Sequence, residues 1–324
     1  MTGRFLRYYT MAGLLVIVSG AIFFYYLLPG LPKYNVQRDT TAWDIPYVNS
    51  LNPTPEADLI RYGRELIIHT AEYLGPKGTV ARLSNGMNCQ NCHPEAGTRL
   101  NGNNFALVAT TYPKFRARSG RLESVEYRIN ECLERSLNGS KLDSLSREMR
   151  AMRAYIIWLG STVVKGVRLK GMGIPDLPIM NRAASVINGE HLYAGKCISC
   201  HGLSGQGSWN AEGTAYTYPP LWGPGSFNVS AGIYRLSKLA GYIKFNMPYT
   251  EVPSEPQLTD EEAWDLAAYI NSQQRPAKFF MYDWPKIANK PFDFPFGPYV
   301  DSFSEYQHKY GPYTAIKQQI KNGK

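Results

Sequence analysis

Cys89-Gln90-Asn91-Cys92-His93 recurs in the second half of the chain as Cys197-Ile198-Ser199-Cys200-His201. Each Cys-x-x-Cys-His reads as a c-type haem attachment site, with two thioethers to the porphyrin and the following histidine beneath the iron. The expected cofactors are therefore two covalently bound haem c groups. One is held by Cys89, Cys92 and His93, the other by Cys197, Cys200 and His201, with His93 and His201 as iron ligands. Zinc and dithiol chemistry also use paired cysteines, but two copies with a histidine after each favour haem. The chain has five cysteines, so Cys132 is left without a disulfide partner. A lone thiol is a liability outside the cytoplasm, and one that is kept there calls for a reason.

The same frame surrounds each motif. An amphipathic stretch, Ala57 to Ile68, leads into the first, and a helix-like stretch, Ser146 to Leu159, closes that unit. Ala184 to Ala194 leads into the second, and Leu258 to Ser272 closes it. Thr259 with Glu262 three residues on is a capping box, a helix start signal. Helix, motif, loops and closing helix is an order that resembles the class I cytochrome c domain. The expected fold class is mainly α: two tandem class I cytochrome c domains with an N-terminal transmembrane helix and an irregular C-terminal strap. The divisions are 1–33 as anchor or signal, 50–160 as the first domain, 161–180 as linker, 181–275 as the second domain and 276–324 as the strap. Pro175 and Pro178 block long helices in the linker. The strap is crowded with aromatics and prolines, as in Phe279-Phe280-Met281-Tyr282-Asp283-Trp284-Pro285, and reads as packing across both domains.

At the N-terminus Arg4 and Arg7 precede an apolar run from Met11 to Leu28. Roughly 18–20 apolar residues can span a bilayer, and flanking arginines stay in the cytoplasm. The run predicts an uncleaved inner-membrane anchor with the rest on the periplasmic side; a long cleaved signal, giving a soluble periplasmic protein, is the alternative. With 44% hydrophobic and 19% charged residues, the remainder of the 324-residue chain is an ordered globular protein. The net charge of +9, partly offset by haem propionates, suits small anions or an acidic redox partner. No nucleic-acid module is present in the sequence.

Each iron needs a ligand on its other side. In the second unit Met247, in Asn246-Met247-Pro248 before the closing helix, resembles the distal methionine loop of electron-transfer cytochromes, and Lys244 is a competitor. The first unit has no such loop. Met149 and Met152 read as core, Met87 abuts the motif, and Met172 in the linker is the methionine alternative. Where a distal loop is expected the chain reads Tyr127-Arg128-Ile129-Asn130-Glu131-Cys132-Leu133-Glu134-Arg135-Ser136-Leu137-Asn138-Gly139. In a helix Arg128, Cys132 and Ser136 share one face. Sulfur, guanidinium and hydroxyl then form an anion pocket, and an arginine favours the reactive thiolate. The sharp expectation is Cys132 as iron ligand and nucleophile; the plain one is a buried inert thiol. For Arg128 and Arg135 the plain reading is a solvated helix face.

That segment, preceded by Arg116-Ala117-Arg118-Ser119-Gly120, resembles the dihaem thiosulfate dehydrogenases, which also work as tetrathionate reductases. Pro295-Phe296-Gly297-Pro298-Tyr299 and Gln307-His308-Lys309-Tyr310-Gly311-Pro312 are similar too, and the likeness runs from about residue 55 to the end. The resemblance implies reversible joining of two thiosulfates to tetrathionate with release of two electrons. It places the haem-ligating cysteine at Cys132 and the anion-binding residues at Arg118, Arg128 and Ser136. Fixed guanidinium groups suit a dianionic substrate. In the mechanism expected from this, Cys132 takes a sulfane adduct that a second thiosulfate resolves. The second haem, with His201 and Met247, exchanges electrons with a cytochrome or membrane redox partner. Three alternatives stand beside it: a sulfur-oxidation subunit with a cysteine-ligated haem that loads a carrier protein, a non-catalytic dihaem electron-transfer cytochrome, and a dihaem peroxidase.

Overall fold

A computed structural model describes residues 38–249 and 257–322 of the chain. Helices α1 (Pro55–Ile68), α2 (Val125–Arg135) and α3 (Arg147–Leu159) belong to the first half. Helices α4 (Val186–Lys196), α5 (Leu236–Asn246) and α6 (Asp260–Ser272) belong to the second, and α7 (Glu305–Tyr310) and α8 (Thr314–Asn322) lie in the tail. Strands are short: β1 (Arg38–Ala42) pairs in parallel with β4 (Arg168–Lys170), and β2 (Lys114–Arg116) forms a hairpin with β3 (Arg121–Glu123). A further hairpin joins β5 (Ser208–Trp209) to β6 (Tyr216–Tyr218).

The helix starts follow local chemistry. Thr54 accepts the Ala57 amide at 3.1 Å and Pro55 occupies the first turn of α1, where its missing N–H costs nothing. Ser146 caps α3 and Ser185 caps α4. The capping box of α6 forms both ways, with Glu262 accepting the Thr259 amide at 2.7 Å and Thr259 accepting the Glu262 amide at 3.1 Å.

The first and last helices of each half pack against one another, α1 on α3 and α4 on α6. Both crossings depend on a glycine at the matching position. A Cβ on Gly63 would enter the Ala151 carbonyl, and a Cβ on Gly189 would enter the Asp265 carbonyl. The helix backbones therefore touch directly. Around the first crossing Leu66, Ile67, Met149, Met152, Tyr155 and Leu159 are buried, joined by Ile129 and Leu133 of α2. This core also takes in Tyr216, Phe227, Ala231 and Tyr234 from the second half. The second core gathers Tyr193, Leu236, Leu239, Ile243 and Trp264, and closes with Tyr310, Tyr313 and Ile316 of the tail.

The structure alters three expectations. Among the described residues no helix is long and apolar enough to cross a membrane. The longest element named above, α1 with 14 residues, extends about 21 Å at 1.5 Å per residue, short of the roughly 30 Å hydrocarbon core, and it is amphipathic. The N-terminal transmembrane helix is therefore withdrawn from the fold class, which becomes two mainly helical cytochrome c domains; the anchor expected at 1–33 lies outside the described residues. The linker stretch is not featureless, since β4 within it pairs with β1. The tail is irregular only in part, for it ends in α7 and α8. Before them Asp293, fully buried, accepts the Ser237 amide at 3.0 Å and Arg235 Nε at 2.8 Å, and so caps the start of α5.

The paired glycines lead to a stability prediction. Gly63→Ala and Gly189→Ala should each destabilise the haem-loaded protein by about 2 kcal/mol or more, because the added methyl meets backbone that has no room to move. Denaturant unfolding should show lowered midpoints for both, whereas alanine at Gly195, whose Cβ position has open space, should leave the midpoint unchanged.

Candidate active site

The two haem motifs are built alike. His93 Nδ1 donates to the Asn103 carbonyl at 2.5 Å, and His201 Nδ1 donates to the Pro219 carbonyl at 2.9 Å. This fixes each ring and leaves Nε2 as the nitrogen available to a metal. His93 also stacks on Phe105, centroids 4.4 Å apart. Asn103 adopts a left-handed φ of 59°, backbone strain of the kind held at functional sites. Burial lowers His93 to about 4 and lowers His201 as well, so both imidazoles stay neutral. None of the four motif cysteines is in a disulfide, and burial disfavours a thiolate at Cys89, Cys92 and Cys197.

A buried cation also waits for an anion. Arg275 donates to the Leu221 carbonyl at 3.1 Å and the Ile270 carbonyl at 2.6 Å, and lies over Phe227 and Tyr234. Among the described residues its Nε has no partner and no carboxylate pairs with it, and burial lowers it to about 10. Nη2 of buried Arg99, beside the first motif, is likewise orphaned. Cysteines free of disulfides, ring nitrogens held for a metal, the buried Arg275 guanidinium and the orphaned Nη2 of Arg99 fit two attached haems with their propionates. Zinc fits poorly, because among the described residues no group of three or more His, Cys, Asp and Glu could hold a bare ion.

Cys132 sits in α2. Val125, Ile129 and Leu133 recur at helical spacing and bury one face of α2 in the first core. Ser124 caps its start, and Ser136 closes its end by donating its amide to the Cys132 carbonyl at 2.8 Å. Arg128, Cys132 and Ser136 thus stand one turn apart, all partly buried. Coulombic interaction with Cys132 is the leading cause that raises Arg128 above its ordinary value, and it also acts on Cys89 and Cys92. The first motif is within its electrostatic reach.

Around this stripe lies a cluster of guanidiniums and carboxylates. Glu131, 3% exposed, stands 3.1 Å from Arg128 and 3.4 Å from Arg135. Burial pushes Glu131 up, but Arg128, Arg135 and Arg118 outweigh it and hold the carboxyl below its ordinary value. Arg135 is 5% exposed, which overturns the solvated-face reading for that residue. Arg128, with 29% of its side chain exposed, is the accessible member. Arg118 comes from the turn between β2 and β3 and is 8% exposed. It donates to the Ser230 carbonyl at 3.0 Å and stands 3.7 Å from Asp283.

The other sulfur candidates separate by position. Met247 ends α5 and packs on the second core. The Lys244 amine is 3.1 Å from Asp260 and donates to the Leu258 carbonyl, so its hydrogen bonds point away from iron chemistry. Met172 is 2% exposed in the first core, where its sulfur accepts the Leu169 amide at 3.3 Å.

Several contacts had no signal in the sequence. Tyr242 of α5 donates to the Asn91 carbonyl inside the first motif at 3.0 Å, and Asn246 donates to the Asn101 carbonyl at 3.1 Å. Asn228 donates its amide to the Arg135 carbonyl and its side chain to the Glu134 carbonyl, capping the end of α2 from the second half. These pairs are more than ninety residues apart in sequence, beyond the reach of local pattern.

Residues 79–162 match the SoxA/TsdA cytochrome c domain family, and residues 186–274 match the cytochrome c family. The chain is 37% identical to thiosulfate dehydrogenase of Allochromatium vinosum over 254 residues, covering 77% of this chain and 90% of that protein. It is 34% identical to thiosulfate dehydrogenase of Stutzerimonas stutzeri, covering 71% and 72%. Among solved structures it is similar to thiosulfate dehydrogenase TsdBA of Marichromatium purpuratum in its as-isolated form, with a TM-score of 0.67 and 29% identity. That match covers 77% of this chain but 51% of the other, so this chain spans about half its length. Thiosulfate dehydrogenases are periplasmic cytochromes. The chain belongs to the thiosulfate dehydrogenase family, and is a cytochrome with two covalently bound c-type haems that interconverts thiosulfate and tetrathionate.

Proposed function

We propose that Cys132 is the reacting thiolate and that, with His93, it would hold the iron of the first haem. Arg118, Arg128 and Ser136 hold thiosulfate beside it, and Met247 with His201 would hold the iron of the second haem. The observation that carries this reading is the placement of Cys132 on α2, one turn from Arg128 and within electrostatic reach of the first motif. A plain electron carrier has no use for a free cysteine one helical turn from Arg128, with two buried arginines in the same ion-pair cluster.

The chemistry balances at sulfur. The Cys132 thiolate and the sulfane sulfur of one thiosulfate join into Cys–S–S–SO3⁻, releasing two electrons. A second thiosulfate attacks the sulfane sulfur of that adduct, forms the central S–S bond of tetrathionate and returns the Cys132 thiolate. Haems held at the two motifs would supply the one-electron acceptors for these two electrons. The residues of the chain do the rest. Guanidiniums offset the repulsion between two dianions brought to one thiol, and a charge-assisted hydrogen bond from Arg128 fixes the sulfonate end.

The direction of electron flow within the molecule is supported by coverage. Tyr242, Asn246 and the β5–β6 hairpin, whose Tyr216 amide donates to the Gly86 carbonyl, lie against the first motif. Around the second motif Ile187 and Leu203 are 66% and 76% exposed. The second haem is the outlet in this reading, facing a cytochrome or membrane redox partner.

The ligand assignments are tested by spectroscopy. The ferric protein should give the low-spin electron paramagnetic resonance signature of a thiolate-ligated haem. Cys132→Met should abolish that signal while haem content stays at two per chain; its persistence would sink the assignment. At the second haem, Met247→Ala should lower the reduction potential, since methionine ligation raises it, and Lys244→Ala should leave it in place. Potentiometric titration of both variants decides between the two side chains.

A further inference from the structure

The tail residue Asp283 is bound up with the arginines of the substrate site. Its two carboxylate oxygens accept from Arg135 Nη1 at 2.7 Å and Nη2 at 2.8 Å, a bidentate pair, and Oδ2 is 3.7 Å from Arg118 Nε. Its neighbours in sequence grip the same two side chains. Phe280 lies 3.8 Å from the Arg135 guanidinium and Trp284 5.4 Å from that of Arg118. The Trp284 amide donates to the Arg118 carbonyl at 2.6 Å, and Pro285 fills the space over Gly120, where a Cβ would collide with it. The segment Phe280 to Pro285 therefore holds both the backbone and the head group of Arg118.

We propose that Asp283 is a positioning residue of the thiosulfate site, acting through Arg135 and Arg118 to hold the Arg118 guanidinium where it binds the anion. The proposal rests on the reading of Arg118 as a thiosulfate-binding residue. Two carboxylates, Glu131 and Asp283, face the three guanidiniums of Arg118, Arg128 and Arg135. Glu131 is nearest Arg128 and Arg135, so Asp283 is the counter-ion that Arg118 shares with Arg135. Without it these two like charges face each other in a buried space, where repulsion is strong, and Arg118 keeps the Ser230 carbonyl as a hydrogen-bond acceptor but no carboxylate within 4 Å among the described residues. Burial together with the Arg135 charge already draws Arg118 down to about 10, and the Asp283 carboxylate works against that. The strap, by this reading, is a part of the active site.

Steady-state kinetics with thiosulfate on the haem-loaded full chain tests this. Asp283→Asn keeps the shape but turns one accepting oxygen into a donor facing a guanidinium. It should raise KM at least ~10-fold with kcat within ~3-fold, a loss confined to binding, and the haem absorption spectrum should not change. Asp283→Glu, which restores the charge, should recover KM to within ~3-fold of wild type. In an Arg118→Gln background Asp283→Asn should add less than ~2-fold, because both act on one interaction. Arg135→Lys, which keeps the charge and breaks the bidentate pair, should raise KM at least ~5-fold, and it serves as the test if Asp283→Asn does not fold. An unchanged KM in Asp283→Asn or Arg135→Lys beside an impaired Arg118→Gln overturns the proposal alone, as do effects that multiply independently. A wild-type KM in Arg118→Gln overturns the substrate-site reading and this proposal with it.

Discussion

Three guanidiniums gathered around Glu131 of α2, two of them buried, are the constraint to which the rest of this protein answers. A buried charge without partners costs several kcal/mol, and breaking a buried pair is of similar size. Arg118, Arg128 and Arg135 are therefore tolerable only because partners arrive from every neighbouring element. Glu131 comes from α2 itself, the Ser230 carbonyl from the second half, and Asp283 with Phe280 and Trp284 from the tail. The positive cluster cannot be assembled from the first domain alone. That explains why the first core also borrows Tyr216, Phe227, Ala231 and Tyr234 from the second half, and why the end of α2 is capped by Asn228.

The same dependence makes the two haem sites unequal. Both motifs share one local plan, a histidine tied through Nδ1 to a loop carbonyl and a glycine crossing behind it. What differs is the surroundings. The first motif is pressed against α5 and the β5–β6 hairpin, and its open neighbour is the Cys132 stripe of α2. Beside the second motif exposed apolar side chains stand at the surface. On the proposed reading, packing divides a duplicated fold into a site for sulfur chemistry and a site for electron exchange. The tail serves both, since Asp293 caps α5, the helix that ends at Met247, while Asp283 braces the arginines near Cys132.

Much of this was legible in the residues. The paired motifs, the capping box at Thr259 and Glu262, and the amphipathic spacing of α1 and α3 are local signals, and local signals survive in a single sequence. The stripe of Arg128, Cys132 and Ser136 could be placed for the same reason, because helical spacing alone aligns it. Arg135 was harder. Its charge suggests solvent, and its burial is explained by Glu131 one turn back together with a carboxylate 148 positions away and the ring of Phe280. The tail hid its role because aromatic and proline-rich composition specifies packing without specifying partners. The transmembrane helix expected at the N-terminus came from hydropathy of a stretch outside the described residues, and the described helices are too short and too amphipathic to supply one.

The central claim is that Cys132 carries the chemistry at the first haem. Its most direct test is stopped-flow haem reduction by thiosulfate, with wild-type protein beside Cys132→Gly, both shown to be reducible by dithionite. Prompt reduction of the wild type and none in the variant is the predicted result. Equal reduction of both proteins by thiosulfate would contradict the claim, since electrons would then reach the haems without the thiolate.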